Sequence, residues 1–230
     1  MGLAGAVASK SSTPPPLSVL VAEDHPVVRE GLAALLARDG GFAVTGHATT
    51  GREVRAQVER QSPQVLVLDL MLQDEDGLAL IKDLAAFAPT LRIVVFSLHP
   101  EEVYAERCLR AGAHGYVMKC EPVTTLFRAI REVAAGGIAV SPRVSASVLG
   151  AMAGHARQPA GSMGQLTDRE LQVFRLVGFA LPTRDIAAKL GVSVKTIETH
   201  RENLKNKLGL QSHAELVARA ARWLHETEQG

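Results

Sequence analysis

Val65-Leu66-Val67-Leu68 is an uninterrupted apolar run that stops at a carboxylate, Asp69. Apolar residues without alternation read as a strand covered on both faces, as in a parallel sheet. In open parallel sheets, ligands bind just beyond the carboxyl ends of the strands. Asp69 stands at such an end. Three further runs stop in the same way: Leu17-Ser18-Val19-Leu20-Val21-Ala22 at Glu23-Asp24, Ile93-Val94-Val95-Phe96 at Ser97, and Gly115-Tyr116-Val117-Met118 at Lys119. One Asp after one strand is an ordinary turn residue. An acid, an acid pair, a hydroxyl and an amine at four strand ends form a chemically coherent set.

Helical spacing fills the gaps between these runs. Pro26 suits a first helical turn, and Val27, Val28, Gly31, Leu32, Leu35 and Leu36 follow a helical period. Residues 42–48 read as a further strand, and residues 53–61 as a short helix stopped before Pro63. Leu78, Ile81, Leu84 and Ala85 mark a helix ended by Pro89, residues 101–111 another, and residues 123–135 a last one closed by Gly136-Gly137. A βα unit repeated five times predicts an α/β doubly wound, five-stranded parallel sheet. Residues 1–16, rich in Ala, Gly and Ser and ending in three prolines, read as a disordered leader. Residues 17–137 form the first domain. Residues 138–165 read as a linker, with a short helix near 144–152 and a flexible stretch at 154–164. Residues 166–230 read as a small all-α domain of four helices: from Thr167 or Asp168 through 177, then 183–190, 194–208 and 212–226.

Two domains suit a chain of 230 residues. No apolar run approaches the roughly 20 residues that span a bilayer, and the start lacks the basic and apolar segments of a secretory signal. A cytoplasmic protein without membrane contact is expected. The two cysteines, Cys108 and Cys120, offer neither a disulfide framework nor metal spacing. A net charge of +1 excludes little, because a basic surface can sit within a neutral total.

The predicted topology gathers Glu23, Asp24, Asp69, Ser97 and Lys119 at one end of the sheet. Crowded carboxylates repel one another unless a divalent cation joins them, and hard oxygen ligands suit Mg²⁺. Lys119 offsets further negative charge. Such a pocket suits phosphoryl transfer, with Asp69 as nucleophile and an aspartyl phosphate as product.

Residues 19–24, Asp69, Asp76-Gly77, Ser97, Ala111-Gly112-Ala113 and residues 115–119 resemble a response-regulator receiver domain, over residues 17–137. The resemblance implies a flavodoxin-like strand order 2-1-3-4-5. It implies Asp69 as phosphoacceptor and Mg²⁺ held by Asp24, Asp69 and the Met71 main-chain carbonyl, with Glu23 acting through water. It assigns Ser97 and Lys119 to the phosphoryl group and Tyr116 to a switch that swings inward when Ser97 bonds it. Gln73 stands where the family often has Pro, and Cys120 where it usually has Asp or Pro. These departures bear on loop shape and phosphate lifetime.

The tail has its own mechanical reading. Ile186 and Leu190 place a helix on a core, Ala187 is small where helices cross, Gly191 permits a left-handed turn, and Ser193 caps the next helix. On that helix Val194, Ile197, Leu204 and Leu208 share a stripe, while Lys195, Glu198, Thr199, Glu202 and Lys205 face away. An outward face of this kind can enter a DNA major groove. Residues 166–170, 194–200 and 207–210 resemble the LuxR-type helix-turn-helix, over residues 166–226, apart from Ala180 and Pro182 where Gly and Ser are common. Receiver and tail together are similar to the NarL/FixJ class of response regulators. That resemblance implies Lys195, Thr196 and Lys205 as phosphate contacts, and Glu198, Thr199 and Glu202 as base readers. It implies a sensor histidine kinase as donor, double-stranded promoter DNA as target, a homodimer at least when phosphorylated, and RNA polymerase as a further partner. The expected function is phosphorylation-controlled transcriptional regulation without catalytic turnover.

Three rival readings share parts of the pattern. An aspartate-nucleophile phosphatase needs a second Asp two residues after the nucleophile, where this chain has Met71. A receiver-like module that drives DNA binding by dimerisation without phosphate would not need the acidic pocket. A quorum sensor would want an aromatic ligand pocket, and aromatics make up only 4% of the chain.

Overall fold

The computed structural model describes residues 15–72, 76–153 and 161–228. The expected leader, up to residue 14, and Gln73 lie outside the described residues. Five strands, β1 (Leu17–Ala22), β2 (Phe42–Ala48), β3 (Val65–Leu68), β4 (Arg92–Ser97) and β5 (Gly115–Met118), form one parallel sheet in the order β2-β1-β3-β4-β5. Five helices alternate with them: α1 (Pro26–Asp39), α2 (Gly51–Gln61), α3 (Gly77–Phe87), α4 (Glu101–Ala111) and α5 (Val123–Ala134). Successive strand residues point to opposite faces. Val19, Val21, Val65, Val67 and Val94 therefore pack on one side with Leu32 and Leu36 of α1 and Leu126 and Ile130 of α5. Leu20, Leu66, Leu68, Ile93 and Val95 pack on the other with α2, α3 and α4.

Local chemistry sets the element ends. Helix α2 starts two residues before the expected Glu53, because Thr50 caps it: the Thr50 hydroxyl accepts from Glu53 N at 3.2 Å. Asp76 caps α3, its carboxylate accepting from Leu78 N at 2.9 Å and Ala79 N at 3.2 Å. Gly77 is required there, since a Cβ would lie 2.6 Å from Leu70 Cα.

The segment after the sheet is more structured than a loose tether. Helix α6 (Pro142–Met152) lies against α4, and Val144 is buried. The Ser141 hydroxyl donates to Glu101 Oε1 at 2.8 Å, and Arg143 pairs with Glu101 and Glu102. The flexible stretch expected at residues 154–164 lies partly outside the described residues, but Met163–Gln165 forms a 3-10 turn with Met163 buried. The end of that stretch is therefore an anchored turn. Arg107 of α4 holds it, donating to the carbonyls of Met163 (3.2 Å), Gly164 (3.3 Å) and Leu166.

Four helices follow: α7 (Asp168–Gly178), α8 (Thr183–Lys189), α9 (Val194–Leu208) and α10 (His213–Glu228). Thr167 and Glu170 form a reciprocal capping box at α7. Gly191 takes φ +63° between α8 and α9, and the Ser193 hydroxyl caps α9 through Thr196 N at 3.1 Å. Phe174, Val177, Ile186, Ile197, Leu204, Leu216 and Ala220 make their core. This apolar cluster is continuous with the α3–α4 side of the sheet, so the helical domain is docked on the sheet domain. Asp168 joins Arg107 at 2.8 Å and Lys82 at 3.0 Å across the boundary.

Candidate functional site

The strand ladders run one bond past the strands and thereby place the site residues. Glu23 N donates to Ala48 O (2.9 Å), Asp69 N to Ala22 O (2.9 Å) and Lys119 N to Ser97 O (2.8 Å). Their side chains therefore meet at the carboxyl end of β1, β3 and β5. Lys119 Nζ lies 2.7 Å from Glu23 Oε2 and 2.8 Å from Asp69 Oδ2, with Glu23 and Asp69 nearly fully buried. Burial works against the Lys119 charge, but Asp69 and Glu23 outweigh it and raise its pKa above the ordinary value.

Glu23, Asp24, His25 and Asp69 each offer a ligand atom, all within 4.8 Å of one another. Among the described residues Asp24 Oδ1 is buried without a hydrogen bond, and His25 Nδ1 lies 2.9 Å away. Three carboxylates gathered at one spot, Glu23, Asp24 and Asp69, are a donor set that fits a hard divalent cation. Met71 follows at the mouth and forms an antiparallel bridge with Asp76. Sequence reasoning missed His25, whose signal was its position directly after the acid pair. Its backbone N–H donates to Glu23 Oε1 at 3.1 Å.

Ser97, at the end of β4, is buried, and its Oγ accepts from His99 N at 3.3 Å. Tyr116 was expected to swing inward on activation, and it already lies inward: it is buried, and its hydroxyl donates to the His99 carbonyl at 2.7 Å. Burial raises its pKa well above the usual value. Cys120, beside Lys119, is exposed, and Cys108 is a buried free thiol. Arg175 of α7 reaches over this end of the sheet to the Met71 thioether. A cavity of about 420 Å³ lies between the domains there, lined by Asp24, His25, Met71, Arg175, Phe179 and Lys189 among others.

The second candidate surface lies on α9. Lys195, Glu198, Thr199 and Glu202 are exposed, while Thr196 and Lys205 are half-buried. Ile197 and Leu204 face the core, but Val194, expected on the same stripe, is 41% exposed at the first turn, before the helix reaches its neighbours. Glu202 and Lys205 pair at 2.7 Å, so each moderates the other's charge. The Thr196 hydroxyl shares a hydrogen bond with Ser193 Oγ at 2.8 Å, and Thr199 Oγ1 donates to Lys195 O at 3.0 Å. Lys207 lies apart from this face, pairing with buried Glu170 at 2.6 Å. Arg169, another residue missed from sequence, ties α7 to the end of α8 through Leu190 O.

Among the described residues no helix is long and apolar enough to cross a membrane. Residues 19–131 match the response regulator receiver domain, and residues 164–220 match the bacterial regulatory proteins of the luxR family. The chain is 32% identical to the oxygen regulatory protein NreC of Staphylococcus carnosus over 206 residues, covering 87% of this chain and 95% of that protein. Identity to NreC of Staphylococcus aureus is 33% with the same coverage. RcsB from Salmonella enterica serovar Typhimurium, bound to the promoter P1flhDC in the presence of phosphomimetic BeF3-, is similar in structure. It superposes with a TM-score of 0.70 at 25% identity, covering 90% of this chain and 98% of that one. A two-component response regulator of the LuxR family from Aurantimonas sp. matches 60% of this chain at 29% identity and TM-score 0.55. With a five-stranded sheet in order 2-1-3-4-5 carrying the acidic end and a helix-turn-helix domain docked on it, the chain belongs to the NarL/FixJ class of response regulators, transcription regulators that join a receiver to a LuxR-type DNA-binding domain.

Proposed function

We propose that Asp69 accepts a phosphoryl group from a sensor histidine kinase and that this controls promoter binding by the tail. The observation that carries the reading is the convergence of Glu23, Asp24 and Asp69 on one spot, with Lys119 bridging two of them at 2.7 and 2.8 Å. An Asp69 carboxylate oxygen attacks the phosphorus of a phosphohistidine, the P–N bond breaks, and the imidazole leaves with the bond's electron pair. Lys119 is placed to neutralise oxygens of the transferring group, and the Ser97 hydroxyl to donate to one of them. Asp24 and Asp69, with the Met71 carbonyl, are the residues to hold Mg²⁺, and Glu23 supports it through water. Bound there, the ion supplies charge neutralisation for the equatorial oxygens. Met71, not an acid, stands two residues after Asp69, where a turnover phosphatase needs its proton donor, and this fits a stoichiometric acceptor.

On the DNA side, Lys195, Thr196 and Lys205 contact phosphates, and Glu198, Thr199 and Glu202 face base edges. Two copies on neighbouring half-sites form the active species, in the cytoplasm and in contact with RNA polymerase. The DNA-bound RcsB structure supports the DNA part of this reading. Incubation with acetyl phosphate and Mg²⁺ tests it. The wild-type chain gains the mass of one phosphoryl group and tightens on its promoter, whereas Asp69→Asn does neither. Equal promoter binding by the two proteins, with and without donor, overturns the switch.

A further inference from the structure

The chain's single tryptophan, Trp223 of α10, is not confined to its own domain. Its ring stacks against two receiver residues: His99, with centroids 6.5 Å apart and planes at 11°, and Tyr104, at 6.4 Å and 26°. His99 and Tyr104 stack on each other at 4.7 Å, and Phe174 of α7 meets Trp223 edge-on at 5.7 Å. Rings from both domains thus form one buried stack. Offset and edge-on aromatic contacts of this kind are favourable beyond the area they bury.

His99 is the member of this stack that also touches the phosphoryl pocket. Its N–H donates to Ser97 Oγ at 3.3 Å, and its carbonyl accepts from the Tyr116 hydroxyl at 2.7 Å. Among the described residues neither ring nitrogen has a hydrogen-bond partner, and burial, with Arg175 and Lys119 nearby, pushes the ring pKa down to about 3. The side chain therefore serves as a neutral flat plate. Ser97 and Tyr116 fix where that plate stands, and Trp223 rests on it.

We propose that His99 is a positioning residue coupling the phosphoryl pocket to the docking of α10, its backbone set by Ser97 and Tyr116 and its ring holding Trp223. This rests on the reading that Asp69 takes the phosphoryl group and Ser97 bonds it. A serine hydroxyl has one proton to give, and its oxygen here accepts from the His99 N–H. A phosphoryl group on Asp69 brings strong acceptor oxygens that compete for that proton. Ser97 Oγ then turns from the His99 N–H, one of two ties on the His99 backbone is lost, and the stack under Trp223 loosens. Docking leaves the recognition helix open: α9 packs on α7, α8 and α10, and Lys195, Glu198, Thr199 and Glu202 remain exposed. Phosphorylation therefore frees α10 for other contacts rather than unmasking α9.

Trp223 makes the test direct, because all tryptophan fluorescence comes from the stack. The full-length chain is incubated with Mg²⁺, with and without acetyl phosphate, and intact mass, emission wavelength and acrylamide quenching are followed together. The expected result is a red shift and a several-fold larger quenching constant, in proportion to the phosphorylated fraction. His99→Ala is red-shifted without donor, whereas His99→Phe keeps the plate and stays blue until phosphorylated. Far-UV circular dichroism checks that each variant is folded. Should His99→Ala fail to fold, Tyr116→Phe removes the other tie and reads out a partial red shift. Full mass gain with unchanged or blue-shifted Trp223 overturns the coupling and leaves Asp69 as acceptor. An emission from folded His99→Ala, or failing that from Tyr116→Phe, that matches the wild type also overturns it. No mass gain overturns the coupling together with the reading it rests on.

Discussion

Lys119→Met removes the one ammonium shared by two nearly buried carboxylates, Glu23 at 2% and Asp69 at 4% side-chain exposure. Losing one partner of a buried ion pair costs about 3–5 kcal/mol, because the remaining charge is left uncompensated. The pocket mouth lets some water reach the carboxylates, since Asp24 beside them is 19% exposed, so the low end applies. At about 3 kcal/mol, and about 2–4 °C per kcal/mol for a chain of this size, the melting temperature falls by about 6–12 °C. Thermal melts followed by circular dichroism at neutral pH, in chelator, measure it. Adding Mg²⁺ restores more stability to Lys119→Met than to the wild type, since Glu23 and Asp69 have lost the Nζ they share. The Lys119 pKa is raised on folding, so its contribution is whole below 10.5 and is lost as pH climbs through the higher folded value. The alkaline step is therefore present in the wild type and missing in the variant. A chelator melt for Lys119→Met within about 2 °C of the wild type, against the expected loss, would refute the claim that these charges are buried together.

Four further outcomes follow from the same geometry. Arg107, 9% exposed, joins Asp168 and three carbonyls of the inter-domain turn, so Arg107→Met weakens docking by about 2–3 kcal/mol, roughly a hundredfold. X-ray scattering then shows an expanded particle, and an unchanged radius of gyration contradicts the role. His99 has its pKa depressed from 6.5 to about 3 on folding, so the unfolded chain takes the proton first and stability falls as pH drops through that window. The slope approaches about 1.4 kcal/mol per pH unit in urea titrations, and it is absent from His99→Phe. Ala180 sits at φ +55°, a left-handed conformation costing about 1 kcal/mol for a residue with a Cβ. Ala180→Gly relieves this at about 0.5 kcal/mol of extra unfolded-state entropy, so the urea midpoint rises slightly; a lower midpoint counts against strain at this turn. Lys195→Ala weakens promoter and random DNA alike and lowers the slope of log affinity against log salt by about 0.9, while sequence-selective loss would move Lys195 from phosphate to base contact.

The periodicity of this chain already carried its architecture. Unbroken apolar runs such as Val65 to Leu68 have to be covered on both faces, and crossovers between parallel strands have to place helices there. Because such a sheet exposes its strand ends, the meeting of Glu23, Asp69 and Lys119 was legible as soon as the strands were. Turn chemistry was equally local: Gly191 and Ser193 announced the helix-turn-helix before any packing was known. What lay beyond sequence was contact between segments far apart in the chain. Arg107 reaching Asp168, Arg175 reaching Met71, and Trp223 lying on His99 each join residues separated by more than 60 positions. No local pattern encodes such pairs, since an exposed arginine and a buried one look alike on a helix until the opposing surface is present. Nor could spacing show that Tyr116 lies inward with its hydroxyl on the His99 carbonyl. A strand aromatic has several staggered positions open to it, and only the surrounding packing selects among them.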